Sequence, residues 1–230
     1  MSVFKIRLSV LFILLFPLLI GLGFWQLSRY EQKLELESIY VSRESMPALR
    51  LDQVKKYKNT LYLPVKASGY FDNERYFLLD NQVYKGRAGF SVIMPFFTKS
   101  DGVILVNRGW VPMKTRDKLP KIKVDPVMYH LEGTIYRSLG ELLLLKKDVW
   151  NKGWPKVIQG MDFDKASKAL GKPVPAYLLN LNKDQPAALR IQMKKAVMPS
   201  EKHLGYALQW FTMAAVFLGL YLFHMSVKGK

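Results

Sequence analysis

The chain has 230 residues, a net charge of +17 and no cysteine. The absence of cysteine excludes disulfides, thiolate metal sites and cysteine nucleophiles. The most apolar segments lie at the two ends, so length and pattern predict one polar domain between two membrane anchors.

The first predicted element is an apolar helix at residues 8–28, a segment without any charged side chain. About 20 such residues cross the roughly 30 Å hydrocarbon core of a bilayer as a helix. A secretory signal peptide is the alternative interpretation, but its apolar core has only about 7 to 15 residues. We therefore predict that residues 1–28 form a short tail and a retained transmembrane helix.

A helical extension is predicted at residues 29–45, because Glu31 with Glu35 and Lys33 with Glu37 have helical spacing. Pro47 follows and ends the helix.

The central residues, up to His203, carry a strand pattern. Residues 63–71 alternate Val65, Ala67 and Gly69 on one face, as in a half-buried strand. Further strand-like runs lie at residues 74–82, 89–97, 102–111, 127–136 and 189–197. One short helix is predicted at residues 162–171, with an acidic start and a glycine stop. This spacing predicts one antiparallel β-rich extramembrane domain, a sandwich or a small barrel, at residues 29–203.

The last predicted element is a second transmembrane helix within residues 204–230, because residues 204–227 contain no charged side chain. Small residues favour close helix packing in a membrane. The first helix offers the pair Gly21 and Gly23. The second offers five small residues, two of which, Ala215 and Gly219, have small-xxx-small spacing; the five are Gly205, Ala207, Ala214, Ala215 and Gly219. We expect the two helices to pack against each other.

Motifs for enzymatic chemistry are missing: the sequence has no P-loop, GxSxG, HExxH or dinucleotide fingerprint. We therefore expect a non-enzymatic protein. The basic residues are dispersed, and no nucleic-acid-binding module is visible, so anionic lipid or an acidic partner protein is at least as natural a target, and we expect no nucleic-acid partner. His130 is interpreted as a surface strand histidine, and His224 as a boundary residue of the second helix.

Polar and aromatic residues cluster where both apolar segments meet the central domain. They are Trp25, Gln26 and Arg29 on the first helix, and His203, Tyr206, Gln209 and Trp210 on the second. An aromatic belt at headgroup depth explains Trp25 and Tyr206, but it explains the two glutamines and the histidine less well. A neutral imidazole beside aromatic rings, with Arg29 or Lys202 nearby, suits a metalloporphyrin whose iron takes the imidazole nitrogen.

Five blocks, spread from the first helix to the second, resemble the Surfeit locus protein 1 family. They are LGFWQLSRYEQK (22–33), GYF (69–71), GFSVIMPF (89–96), LVNRGWVP (105–112) and HLGYALQWF (203–211). The resemblance implies an assembly factor for haem-copper cytochrome c oxidase, with oxidase subunit I and other assembly factors as partners. It also implies binding and delivery of haem a, with His203 at the family's haem-associated position. A scaffold that stabilises an oxidase intermediate without binding haem is the alternative.

Orientation in the membrane is a further implication. Lys and Arg counts near the helix ends favour a cytoplasmic central domain, but long loops translocate regardless of charge. The resemblance implies a bacterial inner-membrane protein with a periplasmic domain and both termini in the cytoplasm.

Two of the resembling blocks have features of their own. Here the approach to His203 reads PSEK (199–202), where many relatives are rich in asparagine. Within LVNRGWVP we favour a structural role for Arg108 and Trp110, with Gly109 at a bend or bulge, over contact with the oxidase or cofactor.

Overall fold

Two long helices and a β-rich region make up the part of the chain that the computed structural model describes, residues 3–99, 102–113, 115, 118–137, 149–191 and 199–226. In chain order, the helices are α1 (Val3–Glu44), α2 (Phe163–Leu170) and α3 (Ser200–Ser226). The strands are β1 (Leu49–Arg50), β2 (Pro64–Phe71), β3 (Phe77–Tyr84), β4 (Arg87–Thr98), β5 (Val103–Pro112), β6 (Tyr129–Tyr136), β7 (Lys156–Ile158) and β8 (Leu178–Leu181). One compact unit holds α3 and α1 as far as Val41, and the other begins at Ser42 and holds the strands and α2.

The helices α1 and α3 are each long and apolar enough to cross a membrane. Large apolar side chains such as Leu14 on α1 and Leu208 on α3 are strongly exposed, which suits contact with lipid rather than water. α1 has 42 residues, about twice the length that a bilayer core requires, and it continues through residues 29–44.

The β-rich unit contains a closed five-stranded barrel. Neighbouring strands pair in the order β2, β6, β8, β5 and β4, and β4 returns to pair with β2. The two apolar helices and the β-rich unit between them in the sequence confirm the predicted fold class. The closure selects the barrel over the sandwich. Four of the five pairings are antiparallel, and β5 with β8 is parallel. Outside the barrel, β1 lies parallel to β2 and β7 parallel to β3.

The barrel interior is the main hydrophobic core. Alternate residues point inwards from β2, β6 and β8, and they include Val65, Ala67, Leu131, Ile135 and Leu179. One face of β3, β4 and β5 packs with α2 and β7 in a second hydrophobic cluster. Residues of β4 and β5 that point the other way are also buried, so these two strands lose the simple alternation over much of their length.

The boundaries of α2 follow its end residues, as predicted. The Asp162 side chain accepts a hydrogen bond from the backbone N–H of Lys165, which satisfies one of the free donors at the helix start. Gly171 ends the helix in the left-handed conformation, with φ of 68°.

The structure differs from the predicted strands at three short elements and one longer run. β1, β7 and β8 have two, three and four residues, too short for a periodic signal, and none of them was predicted. In the predicted run 189–197, Arg190 makes an isolated bridge to Trp110, and residues 192–197 lie outside the described part of the chain.

A β-bulge interrupts the pairing of β4 with β5. Val92 pairs with Gly109 and Ile93 with Asn107, which leaves Arg108 as the extra residue. Gly109 has a φ of 115°, a conformation that favours glycine. The predicted bulge at Gly109 is therefore confirmed.

Replacement of Gly69 by alanine is expected to destabilise the barrel. Gly69 pairs with Thr98 at the closure, and a Cβ there would overlap the carbonyl oxygen of Phe97. We expect a loss of about 1 to 3 kcal/mol in the free energy of unfolding, as for other overpacked sites. Gly153→Ala is the matched control, since a Cβ at Gly153 has open space around it. Chemical denaturation followed by circular dichroism gives both values, and equal values would contradict the closure.

Candidate functional site

The helices α1 and α3 run antiparallel and meet through aromatic side chains. At one end, Phe12 stacks on Tyr221 with ring centroids 4.1 Å apart. Nearer the other end, Phe24 meets Phe211 edge to face at 5.4 Å. Gly23 lies against the Phe211 ring, and a Cβ at this position would overlap the ring, so a larger residue would have to displace Phe211.

The small residues that line this contact are Gly23, Ala207 and Ala214, which are buried. The expected contact through Ala215 and Gly219 is wrong, because Ala215 is exposed and a Cβ on Gly219 would meet no described atom within 4 Å. Ala207 and Ala214 are seven residues apart, the spacing of a seam between two nearly aligned helices. The predicted packing between α1 and α3 is confirmed, but it uses the face of α3 that holds Ala207 and Ala214.

His203 lies on the first turns of α3 and bonds to Gln26 of α1. Its Nδ1 is 2.8 Å from the Gln26 Oε1, and both side chains are half-buried. A carboxamide oxygen only accepts hydrogen bonds, so Nδ1 is the donor in this contact, and in the neutral ring the lone pair then lies on Nε2. A neutral imidazole of this kind can bind a metal ion through Nε2. Gln26 was placed in the cluster from the sequence, but no role was predicted for it.

The other predicted site residues occupy the same end of the helix pair. Trp25 is 51% exposed, and the guanidinium carbon of Arg29 lies 5.8 Å from its ring centre. Tyr206 is 45% exposed, and Trp210 is half-buried. The structure therefore joins His203 directly to Gln26 and leaves aromatic surface exposed on both helices.

A second polar contact, which sequence reasoning missed, holds the start of α3. The Glu37 carboxylate accepts hydrogen bonds from the Ser200 hydroxyl at 2.7 Å and from the Ser200 N–H at 3.1 Å. Ser200 is only 1% exposed. The first turn of a helix has free N–H groups and a positive partial charge, so a carboxylate there is stabilising. These hydrogen bonds, chiefly the one from the hydroxyl, lower the pKa of Glu37 below its usual value.

Arg108 and Trp110, the remaining candidates, are buried in the barrel unit. Arg108 is 4% exposed; its Nε donates to the Ala187 carbonyl at 2.7 Å and its guanidinium lies over the Phe71 ring. Burial lowers the Arg108 pKa to about 10, so it stays charged at neutral pH, although no described carboxylate pairs with it. The Trp110 indole donates to the Gln82 carbonyl at 2.9 Å. These contacts support a structural role for both residues.

The other two histidines have simpler surroundings. His130 is exposed on β6, with its Nδ1 2.7 Å from the hydroxyl of Ser68, the residue opposite on β2. This agrees with the predicted surface strand histidine. His224 Nδ1 lies 2.8 Å from the Leu220 carbonyl, one turn back along α3. Among the described residues, no group of three or more histidine and carboxylate side chains is arranged to hold a metal ion.

Comparison with known proteins covers both helices and the barrel. Residues 13–215 match the model of the SURF1 family. The chain belongs to the SURF1 family. This SURF1 chain is 29% identical to a SURF1-like protein of Rickettsia bellii, over 98% of the chain and 93% of the relative. It is 30% identical to a SURF1-like protein of Rickettsia prowazekii, over 95% and 89%. Surfeit locus protein 1 of Mus musculus is 37% identical over 120 residues, which cover 45% of the chain and 39% of the mouse protein.

Replacement of Glu37 by glutamine is expected to loosen the first turn of α3 in this SURF1 protein. The pKa of Glu37 is lower in the folded chain than the ordinary value of 4.5. Its stabilising contribution is therefore complete above that ordinary value and disappears as the pH falls through the lowered one. Hydrogen–deuterium exchange between pH 3 and 7, corrected for intrinsic rates, should show faster exchange in Glu37→Gln than in wild type at pH 7.

The difference should vanish at the acid end of this range. Glu35→Gln is the matched control, because Glu35 is an exposed glutamate on the same helix, and it should exchange like wild type. A difference for Glu37→Gln that persists unchanged at pH 3 would contradict the role of the ionised carboxylate.

Proposed function

We propose that this SURF1 protein is an assembly factor for haem-copper cytochrome c oxidase, and that it carries haem a to oxidase subunit I. The family membership supports the first part of the proposal. The observation that carries the second part is the hydrogen bond between Nδ1 of His203 and Gln26, which leaves Nε2 without a partner among the described residues, at the end of the helix pair where α3 begins. The absence of enzyme motifs in the sequence agrees with a carrier rather than a catalyst.

The residues at this end of the helix pair fit a haem. His203 would supply the imidazole nitrogen to the iron, the group through which a haem is held in many proteins. Trp25, Tyr206 and Trp210 offer aromatic surface for the apolar porphyrin. Arg29 offers a cation for the propionate carboxylates.

The exposure of these residues suits a cargo that must leave again. A resident cofactor is usually enclosed, with most of its surface buried by protein. Here Trp25 and Tyr206 are about half exposed, so a haem held between the two helices would remain accessible from the side. That accessibility would let a partner take up the haem without unfolding of the carrier.

The orientation that we propose has the barrel on the periplasmic side of the bacterial inner membrane and both termini in the cytoplasm. A fluorescent protein that matures only in the cytoplasm, fused to the C-terminus, should be bright. Protease added to spheroplasts should cleave the barrel unit. A dark fusion together with a protected barrel would reverse the orientation.

The haem site is tested by replacing His203. Wild-type protein, purified in mild detergent from cells that make haem a, should show haem absorption, and His203→Ala should lose most of it. The matched control is His224→Ala, which removes a histidine from the opposite end of the same helix and should keep the haem. Absence of haem from wild type, or equal haem in wild type and His203→Ala, would overturn the haem-binding proposal. Copurification of subunit I with all three proteins would then favour the scaffold without haem.

A further inference from the structure

Among the described residues, Gln26 is the polar partner of the His203 ring. It lies 177 positions away in the sequence, on the other helix, and its Oε1 is 2.8 Å from Nδ1 of the ring. Gln26 itself belongs to the apolar segment that ends at Ser28. A carboxamide in such a segment is costly unless it forms hydrogen bonds, so a partner across the helix contact explains why the position tolerates glutamine.

In the neutral ring, the hydrogen bond to Gln26 determines which nitrogen of His203 carries the lone pair. A neutral imidazole carries its proton on either nitrogen, and the bond made by one nitrogen determines the state of the other. Because the Gln26 oxygen accepts, the proton is held on Nδ1 and the lone pair on Nε2. Histidines that bind metals are commonly oriented in this way by an acceptor behind the ring, which fixes the rotamer and raises the basicity of the ligating nitrogen.

We propose that Gln26 is the positioning residue of the haem site: it selects the Nδ1–H tautomer of His203 and directs Nε2 away from α1. This inference rests on the proposed haem function for its purpose, but the tautomer itself is a property of the protein without haem. Gln26 contacts His203, and it would affect haem binding only through that contact.

The tautomer is measured first, in the full chain without haem. Nitrogen-15 NMR distinguishes Nδ1–H from Nε2–H imidazoles, and the chain has only three histidines, so replacement of each one assigns the signals. His203 should be an Nδ1–H tautomer in wild type. Gln26→Met, which keeps the length of the side chain but removes the acceptor, should populate the Nε2–H tautomer. The signals of His130 and His224 should not move.

A second variant separates positioning from damage to the helix contact. Gln26→Glu keeps an acceptor oxygen at the same reach, so the neutral His203 ring should remain an Nδ1–H tautomer when it is observed at a pH high enough to deprotonate the imidazolium that a carboxylate favours. If Gln26→Met leaves the tautomer unchanged, or Gln26→Glu alters it as much as Gln26→Met does, the positioning role is overturned.

The haem measurement then connects the tautomer to function. Haem affinity should fall about 10- to 100-fold in Gln26→Met, the usual cost of removing an acceptor behind a metal ligand, and Gln26→Glu should restore most of it. If His203→Ala abolishes haem binding while Gln26→Met binds haem like wild type, the positioning role fails and the haem site stands. If wild type binds no haem, the haem-carrier part of the proposed function fails, and the NMR experiment still decides whether Gln26 sets the tautomer.

Discussion

The antiparallel contact between α1 and α3 is the constraint on which the candidate site depends. Gln26 and His203 come from opposite ends of the sequence, and they meet only if the two helices are in one register. Buried Gly23, Ala207 and Ala214 allow the close approach, and the ring of Phe211 occupies the space above Gly23. A shift of one residue would turn each side chain by about 100° around its helix, so the same packing that joins the helices also selects the polar pairs.

Two polar contacts use this register. Gln26 orients His203, and Glu37 binds the first residue of α3. Both involve the first turns of α3, next to the start of the apolar segment, where water competes less for hydrogen bonds than in solution. Their combined effect is to fix the position and the tautomer of an imidazole that the sequence marked by its place before an apolar run and by the family resemblance, but without a partner.

Much of the fold was predictable because its signals are local. The apolar lengths of α1 and α3, the alternation of β2 and the end residues of α2 each lie within one short segment. β7 and β8 were missed because three or four residues are too few to show a period. In β8 the neighbouring residues Leu178 and Leu179 are both buried, so this strand also lacks the alternation of polar and apolar residues. The site was partly predictable for the same reason: His203 is conspicuous before an apolar run, whereas its pairing with Gln26 depends on a register that no local pattern contains. Ala214 and Ala215 are both small, so composition could not decide which of them faces α1.

The central claim, that Gln26 and His203 form one site across the helix pair, is tested most directly by solid-state NMR of the chain in lipid bilayers. With the glutamine side chains labelled with carbon-13 and the histidines with nitrogen-15, a dipolar contact between the Gln26 carboxamide carbon and the His203 Nδ1 reports the pair itself. The account predicts this contact in wild type and its loss when Gln26 is replaced by methionine. A His203 ring without a contact to Gln26 in the bilayer would contradict it.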